Sequence, residues 1–419
     1  MRTLLRRRVI LPLFALFAVL GPAIITANVD NDAPGIATYS KAGAVYGYSM
    51  LWLLWPTMIV LIVVQEICAR MGVATSKGLA DLIREQFGAR VTFVLMLALV
   101  ITNLANTAGE FAGLAEGSEI FHLSRYIAVP LGALIIWLVI LRGSYRSVER
   151  VFLVACLVYL AYPLSGFMAQ PDWDFVLKES VRPTLKTDVG TLAMAVGIVG
   201  TTIAPWMQFY LQATVVEKGT RASDYRLARW DVIIGGIFAI VVVFFIVVAC
   251  AAKLYPLPEL ETAAQAAEAL GPLAGRYAST LFAIGLLNAA LFAACILPLS
   301  TTYSVCEGIG WERGIGRTFR QAPQFYALYT AMIVLGAGLV LLPRAPLLRI
   351  MLFSQVMNGL LLPVILILML LLVTRRSLMG ELAASRWYAA LCWGLCVLLI
   401  ALDLFLLATS VGAITGPRG

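Results

Sequence analysis

The chain alternates long apolar stretches with short polar or basic segments along almost its whole length. A helix of roughly 20 apolar residues crosses a bilayer, and on that basis the pattern predicts eleven membrane-spanning helices. Their predicted ranges are 9–45, 46–69, 91–115, 126–141, 151–168, 190–217, 231–252, 273–305, 324–342, 347–373 and 387–411. Hydrophobic residues make up 61% of the 419 residues and charged residues 13%, which is typical of an all-α polytopic membrane protein and not of a soluble domain.

The first predicted span is interrupted by the polar segment Asn28-Val29-Asp30-Asn31-Asp32-Ala33-Pro34-Gly35. A charged side chain at membrane depth costs at least about 2.5 kcal/mol, so this segment cannot be an ordinary lipid-facing helix. Pro34 removes a backbone donor and Gly35 loosens the backbone. We therefore expect the helix to open here and to form a cation site.

The sixth predicted span has a similar interruption, Gly200-Thr201-Thr202-Ile203-Ala204-Pro205-Trp206. Two broken helices five spans apart are typical of transporters built from two inverted repeats, because an odd number of spans reverses the second copy. We therefore expect one transport domain, with a first repeat over 1–168, an inverted repeat over 190–373 and an additional helix over 387–411. The polar segment 169–189 is predicted to be a connecting loop.

Charge and cysteine usage narrow the function classes. The chain has 31 Lys and Arg against 23 Asp and Glu, and the basic residues concentrate in alternate short loops, which places the N-terminus in the cytoplasm and needs no nucleic-acid partner. Seven cysteines without a C-x-x-C pair, and a single histidine, indicate neither a disulfide framework nor a zinc site. No nucleophile motif is present, so we expect a transporter without a cofactor, not an enzyme.

Several motifs resemble the Nramp family of metal transporters. They are Asp32-Ala-Pro-Gly-Ile-Ala-Thr38, Ala42-Gly-Ala-Val-Tyr-Gly-Tyr48, Gln65 with Ala69-Arg-Met-Gly-Val-Ala-Thr-Ser-Lys-Gly-Leu-Ala80, Ala204-Pro205, Ser300-Thr-Thr302 with Glu307-Gly308, and Ser354-Gln-Val356 with Leu362-Pro363. They occur in the family's order and cover about helices 1 to 10. The resemblance implies a LeuT-like fold with a 5+5 inverted repeat plus one extra helix, with helices 1 and 6 broken.

The residues that depart from the family pattern change the metal preference expected of the site. Asp32 keeps the aspartate of the family's Asp-Pro-Gly-Asn motif, but Gly35 replaces its asparagine, and Ala204-Pro205-Trp206 replaces Met-Pro-His. Loss of a thioether removes discrimination against Mg²⁺, which keeps several waters and needs only one or two carboxylates. The same pattern resembles the Nramp-related magnesium transporter branch. The family's Asp-Leu-Ala-Glu of helix 3, associated with proton movement, is here Asn103-Leu-Ala-Asn106.

The candidate metal-site residues are Asp32, Asp30, Gly35, Ala204, Thr201, Gln355 and Asn358, and the candidate ion-path or gating residues are Asn103, Asn106, Glu110 and Trp206. Asp32 is the first choice as a ligand. Each of the others has a structural alternative. Asp30 could instead cap freed amides at the break, and Gln355 and Asn358 could form hydrogen bonds that join helices. Glu110 could be a buried structural acid, and Trp206 could be a packing residue.

The expected function is import of Mg²⁺, with Mn²⁺ as a further ion, by alternating access and without proton coupling, in a multi-pass protein of the bacterial inner membrane. One alternative is a proton-coupled Mn²⁺ or Fe²⁺ symporter, and another is an amino-acid or organic-cation transporter of the same fold. The expected partners are the metal ion as substrate and the lipid bilayer, and the oligomeric state is left open.

Overall fold

A computed structural model describes residues 31–142, 161–184, 186–271, 275–314 and 317–415. These residues form helices and connecting turns, with no strand among them. The α-helices among the described residues are α1 (Ala33–Tyr46), α2 (Leu51–Thr75), α3 (Leu79–Phe87), α4 (Ala89–Ile120), α5 (Arg125–Arg142), α6 (Ala161–Met168), α7 (Trp173–Val181), α8 (Val189–Thr202), α9 (Pro205–Glu217), α10 (Tyr225–Leu254), α11 (Ala263–Ala267), α12 (Ala278–Ile309), α13 (Pro323–Val340), α14 (Leu347–Val373), α15 (Arg376–Met379) and α16 (Arg386–Thr415).

Within the described residues, eight segments are long and apolar enough to cross a membrane, and the shorter apolar helix Arg125–Leu141 accompanies them. One of the eight, Ala33–Thr75, contains the end of the first predicted span and the whole of the second. A short 3-10 turn at Gly47–Met50 separates α1 from α2 within it. Large apolar side chains such as Val94, Val334 and Trp387 are exposed on these helices, as lipid-facing side chains must be. The first half of the first predicted span and most of the fifth lie outside the described residues.

The segment 169–189 was predicted to be a loop, and this was wrong in part because it contains α7. Asp172 caps that helix by accepting hydrogen bonds from the backbone of Asp174 and Phe175, at 3.1 and 3.2 Å. A polar cap followed by a short amphipathic run is a helix start that the mixed charge of the segment obscured. Trp52 of α2 donates from its indole nitrogen to the Thr184 carbonyl at 3.2 Å, which ties the connection to the bundle.

The core forms around α4, which packs against α12, α13 and α14. Glycines allow the closest approaches between helices in this core. A Cβ added at Gly200 of α8 would lie 2.2 Å from the Gln355 carbonyl oxygen and 2.4 Å from the Gly359 nitrogen of α14. Small residues at such crossings let the backbones of membrane helices touch, so the second broken helix is held directly against α14.

Candidate functional site

The first helix break ends at Asp32, and α1 begins at Ala33. Asp32 is the N-cap, and its Oδ1 accepts a hydrogen bond from the Gly35 backbone nitrogen at 2.6 Å. Pro34 occupies the first turn, where its missing donor costs nothing and its fixed φ suits a helix start. Helix α1 therefore starts inside the polar segment where the opening was predicted, and the residues before Asn31 lie outside the described part of the chain.

The polar residues next to Asp32 are buried. Asn31 is 0% exposed and both polar atoms of its side chain lack a hydrogen-bond partner, although an unpaired buried carboxamide costs about 1–3 kcal/mol for each unmet group. Asp32 itself is 5% exposed. Asp30, the second predicted carboxylate, lies outside the described residues.

Helix α4 provides a notch that receives the start of α1. A Cβ added at Gly109 would lie 2.9 Å from the Pro34 side chain, and one at Gly113 would lie 2.2 Å from Ala33 Cβ. Glycine at both positions therefore lets the two helices touch. Between these glycines lies Glu110, which is 0% exposed.

Glu110 is the second carboxylate at the break. Its Oε2 lies 3.4 Å from the backbone nitrogen of Ala33, which donates to it, and its carboxyl group is close enough to that of Asp32 to interact directly. Its other oxygen, Oε1, is buried and has no hydrogen-bond partner. No Lys, Arg or His among the described residues forms an ion pair or hydrogen bond with either carboxylate.

The second break lies where it was predicted. Helix α8 ends at Thr202, Ile203 and Ala204 leave the helical region, and α9 begins at Pro205. The Thr202 hydroxyl is hydrogen-bonded to the Tyr39 hydroxyl of α1 at 2.8 Å, so the two broken helices are joined beside their interruptions. Thr201 is buried and its hydroxyl oxygen has no hydrogen-bond partner.

The residues that follow the second break are packed. The Ala204 carbonyl accepts from the Gln208 side chain at 3.1 Å, so it already has a partner. Trp206 is 1% exposed, and its carbonyl accepts from the Ser300 hydroxyl of α12 at 3.1 Å. The ring of Trp206 lies 6.3 Å from that of Tyr210. These contacts give Trp206 a packing role and place α9 against α12.

Three carboxamides predicted near the ion are bonded to one another. Asn106 of α4 donates to Asn358 of α14 at 2.7 Å and accepts from the same residue at 3.1 Å. Asn358 also donates to Gln355 Oε1 at 3.0 Å, and the Gln355 nitrogen lies 3.5 Å from Asn106 Oδ1. We call Asn106, Gln355 and Asn358 the amide cluster, and its arrangement matches the interhelical alternative for these side chains.

Asn103, one turn before Asn106 on α4, makes a similar connection to a different helix. Its side-chain nitrogen donates to the Thr301 hydroxyl of α12 at 2.8 Å, while its Oδ1 has no partner. The two asparagines thus link α4 to α12 and α14 through neutral hydrogen bonds.

A polar cavity of about 270 Å³ lies beyond the break along α1 and α4. Its charged lining residues are Lys41, Glu116, Glu259, Glu261 and Arg349. Glu116 is six residues after Glu110 on α4, which is about 9 Å at the rise of an α-helix. The cavity therefore lies nearly two helical turns beyond Glu110 along α4.

Sequence reasoning singled out Glu110 but gave no reason to pair it with Asp32. It missed Tyr39, although Tyr39 lies seven residues after Asp32, two helical turns later on the same face of α1. No group of three or more His, Cys, Asp or Glu side chains arranged to hold a metal occurs in the described part of the chain.

The interruption between α8 and α9 lies beside buried polar groups, as in membrane transporters built from discontinuous helices. The sequence profile of the Nramp family, described as natural resistance-associated macrophage protein-like, matches residues 23–409. The chain belongs to the Nramp family.

Relatives and solved structures agree with this assignment. Over 409 residues the chain is 28% identical to a divalent metal cation transporter MntH of Klebsiella pneumoniae, covering 94% of each chain. It is 27% identical to an MntH of Bacillus subtilis, covering 94% of this chain and 92% of the relative.

The structure resembles that of the Eremococcus coleocola manganese transporter, with a TM-score of 0.77 at 20% identity over 96% of this chain and 89% of that one. It also resembles Mhp1, a nucleobase-cation-symport-1 family transporter, with a TM-score of 0.58 at 16% identity over 94% and 90%. These likenesses show the fold, and the predicted LeuT-like all-helical architecture is confirmed.

Proposed function

We propose that this protein transports divalent metal cations through the site at the first helix break, with Asp32 as the principal ligand. The observation that carries this proposal is a buried carboxylate in a membrane helix break that has no basic partner among the described residues. A charge in such a place is costly unless a counter-charge accompanies it. A transported cation supplies that counter-charge, and the divalent metal cation transporters among the relatives support this class of ion.

The side chains around the break support Mg²⁺ as the preferred ion. Ala204 stands where the family carries a thioether, and Gly35 where it carries an asparagine, so both positions offer space in place of a ligand atom. Mg²⁺ retains several waters and prefers oxygen ligands, whereas a thioether selects softer transition metals. Mn²⁺ is the second candidate, because solved structures with this fold include a manganese transporter.

The hydrogen bonds of α4 support transport without a coupled proton. Asn103 and Asn106 stand where the family carries Asp and Glu, and both are neutral donors to side chains of other helices. A membrane potential of about 100 mV supplies roughly 2 × 2.3 kcal/mol for a divalent ion moving to the negative side. That is enough for more than thousandfold accumulation, at 1.4 kcal/mol for each factor of ten.

The direction and place of transport follow from charge and topology. The excess of Lys and Arg in alternate loops supports a cytoplasmic N-terminus and a bacterial inner membrane location. In that orientation the polar cavity lined by Glu116 and Arg349 faces outward, so the ion enters there and leaves on the opposite side. The repeats over 1–168 and 190–373 would then move against each other around the two breaks.

Uptake into proteoliposomes tests this proposal. Purified protein is reconstituted with a negative-inside potential, and Mg²⁺ and Mn²⁺ uptake are each compared with uptake of a panel of amino acids. The proposal predicts saturable divalent uptake that increases with the potential and no amino-acid uptake. Transport of an amino acid without divalent flux would contradict it.

A further inference from the structure

Asp32 and Glu110 form a buried pair of acidic side chains that interact directly at the start of α1. Both side chains are at least 95% buried, and two carboxylates in contact repel each other while each has lost most of its hydration. Such a pair is stable when one carboxyl group is protonated and donates to the other, or when a cation lies between its members. No basic side chain among the described residues provides one.

We propose that Glu110 is a second carboxylate ligand of the transported cation, so that the ion bridges Glu110 of α4 and Asp32 at the start of α1. This inference rests on the proposed function and names a ligand that lies outside the family motifs quoted above. Two carboxylates match the number with which proteins usually hold Mg²⁺.

The hydrogen-bond partners of both side chains support a bridging ion. Asp32 uses Oδ1 to cap α1 through the Gly35 nitrogen, and its carboxyl group is also hydrogen-bonded to that of Glu110. Glu110 uses Oε2 to accept from the Ala33 nitrogen, and its Oε1 is buried without a partner. A cation that replaces the proton between the two groups would therefore find Oε1 of Glu110 available as a ligand.

The backbone around Glu110 is shaped for this approach. Gly109 and Gly113 flank it, and a Cβ at either would collide with Pro34 or Ala33. Larger residues there would push α1 away and separate the two carboxylates. The notch therefore sets the distance across which a bridging ion is held.

The inference makes Glu110 decisive for preferring divalent over monovalent ions. A site with two carboxylates balances a charge of +2, whereas a site with Asp32 alone balances +1. Removing the charge of Glu110 should therefore weaken Mg²⁺ and Mn²⁺ binding much more than it weakens binding of Na⁺.

The test uses Glu110→Gln in the full-length protein. Glutamine keeps an oxygen that can accept from the Ala33 nitrogen, so the helix contact survives and only the charge is lost. Glu119→Gln is the matched control, because it removes the same charge at the end of the same helix, where Glu119 is exposed and paired with Arg125 at 3.5 Å. Binding of Mg²⁺ and Mn²⁺ is measured by calorimetry in detergent, uptake is measured in proteoliposomes with and without Na⁺ competition, and thermal unfolding reports folding.

The expected result is an increase in Kd of at least tenfold for both divalent ions in Glu110→Gln, with stronger Na⁺ competition, and a change of less than twofold in Glu119→Gln. Glu110→Asp, which keeps the charge but withdraws it by one methylene, should lie between wild type and Glu110→Gln, and it serves if Glu110→Gln does not fold.

Wild-type divalent affinity in a folded Glu110→Gln would overturn the inference and leave the proposed function standing. Absence of divalent binding in the wild type would overturn the proposed function itself.

Discussion

Asn106 and Asn358 exchange two hydrogen bonds between α4 and α14, at 2.7 and 3.1 Å. Both side chains are 1% exposed, so neither can replace its partner with water. Each amide offers a donor and an acceptor to the other, and no charge is needed to join the helices.

The Asn106–Asn358 pair predicts a strong energetic coupling. Asn106→Ala or Asn358→Ala alone leaves a buried amide without its partner, and each should destabilise the protein by about 1–3 kcal/mol. The double variant should cost less than the sum of the two, because it removes both unpaired groups. Thermal unfolding of the four proteins in detergent measures this, with Ser377→Ala as an exposed control. Additive changes would mean that the pair does not act as a unit.

The approach of α8 to α14 predicts that Gly200 tolerates no side chain. In Gly200→Ala the new Cβ would lie 2.2 Å from the Gln355 carbonyl oxygen and 2.4 Å from the Gly359 nitrogen. The collision involves backbone, which cannot rotate away, so we expect a cost of about 1–3 kcal/mol or more and loss of transport.

Gly394→Ala is the control for this prediction, because Gly394 also lies in a long apolar helix but has no atom within 4 Å of its added Cβ. We expect Gly394→Ala to transport at the wild-type rate. Equal stability and equal uptake in the two variants would show that α8 and α14 are not in backbone contact.

Much of the secondary structure could be predicted from the sequence, because local signals determine it. Pro205 fixed the second break, and the predicted span 347–373 has the same bounds as α14. Gln355 and Asn358 were predicted to share a helix face, and their 3.0 Å hydrogen bond confirms this.

The composition of the site could not be predicted in the same way. The contacts of the site depend on how distant segments pack. Two examples are the contact of Gln355 and Asn358 with Asn106 and the contact of Glu110 with Asp32. The glycines that permit those contacts, Gly109 and Gly113, look like ordinary small residues of a membrane helix until α1 is placed against them. The part of the first span before Asn31, with Asp30, lies outside the described residues, and the metal-binding roles of the site residues stay predictions.

The missing thioether predicts that Ala204→Met shifts ion preference from Mg²⁺ towards Mn²⁺ and Cd²⁺. A sulfur ligand favours softer metals, and Ala204 is the N-cap of α9 at the second break. Competition of each metal against Mg²⁺ uptake measures the shift, which should exceed tenfold for Cd²⁺. Ala204→Leu is the control, since it adds similar volume without sulfur. If the Met and Leu variants give the same competition curves, Ala204 does not face the ion.

The neutral bonds of Asn103 and Asn106 predict that no proton accompanies the metal. Mg²⁺ uptake is followed in proteoliposomes that contain an internal pH dye, with the membrane potential clamped by a potassium gradient and ionophore. We expect the lumenal pH to stay constant while metal enters, and uptake to respond to the potential. Acidification that tracks metal entry would show that coupling survives by another route.

The central claim is that the carboxylate of Asp32 binds the transported ion, and Asp32→Asn tests it most directly. Asparagine is as good an N-cap as aspartate, so the hydrogen bond to the Gly35 nitrogen and the start of α1 are retained while the charge is lost. The measurement is initial uptake of Mg²⁺ and Mn²⁺ into proteoliposomes at matched protein density, with thermal unfolding as the check on folding. We predict that a folded Asp32→Asn loses at least 90% of divalent uptake, and uptake at the wild-type rate would contradict the account.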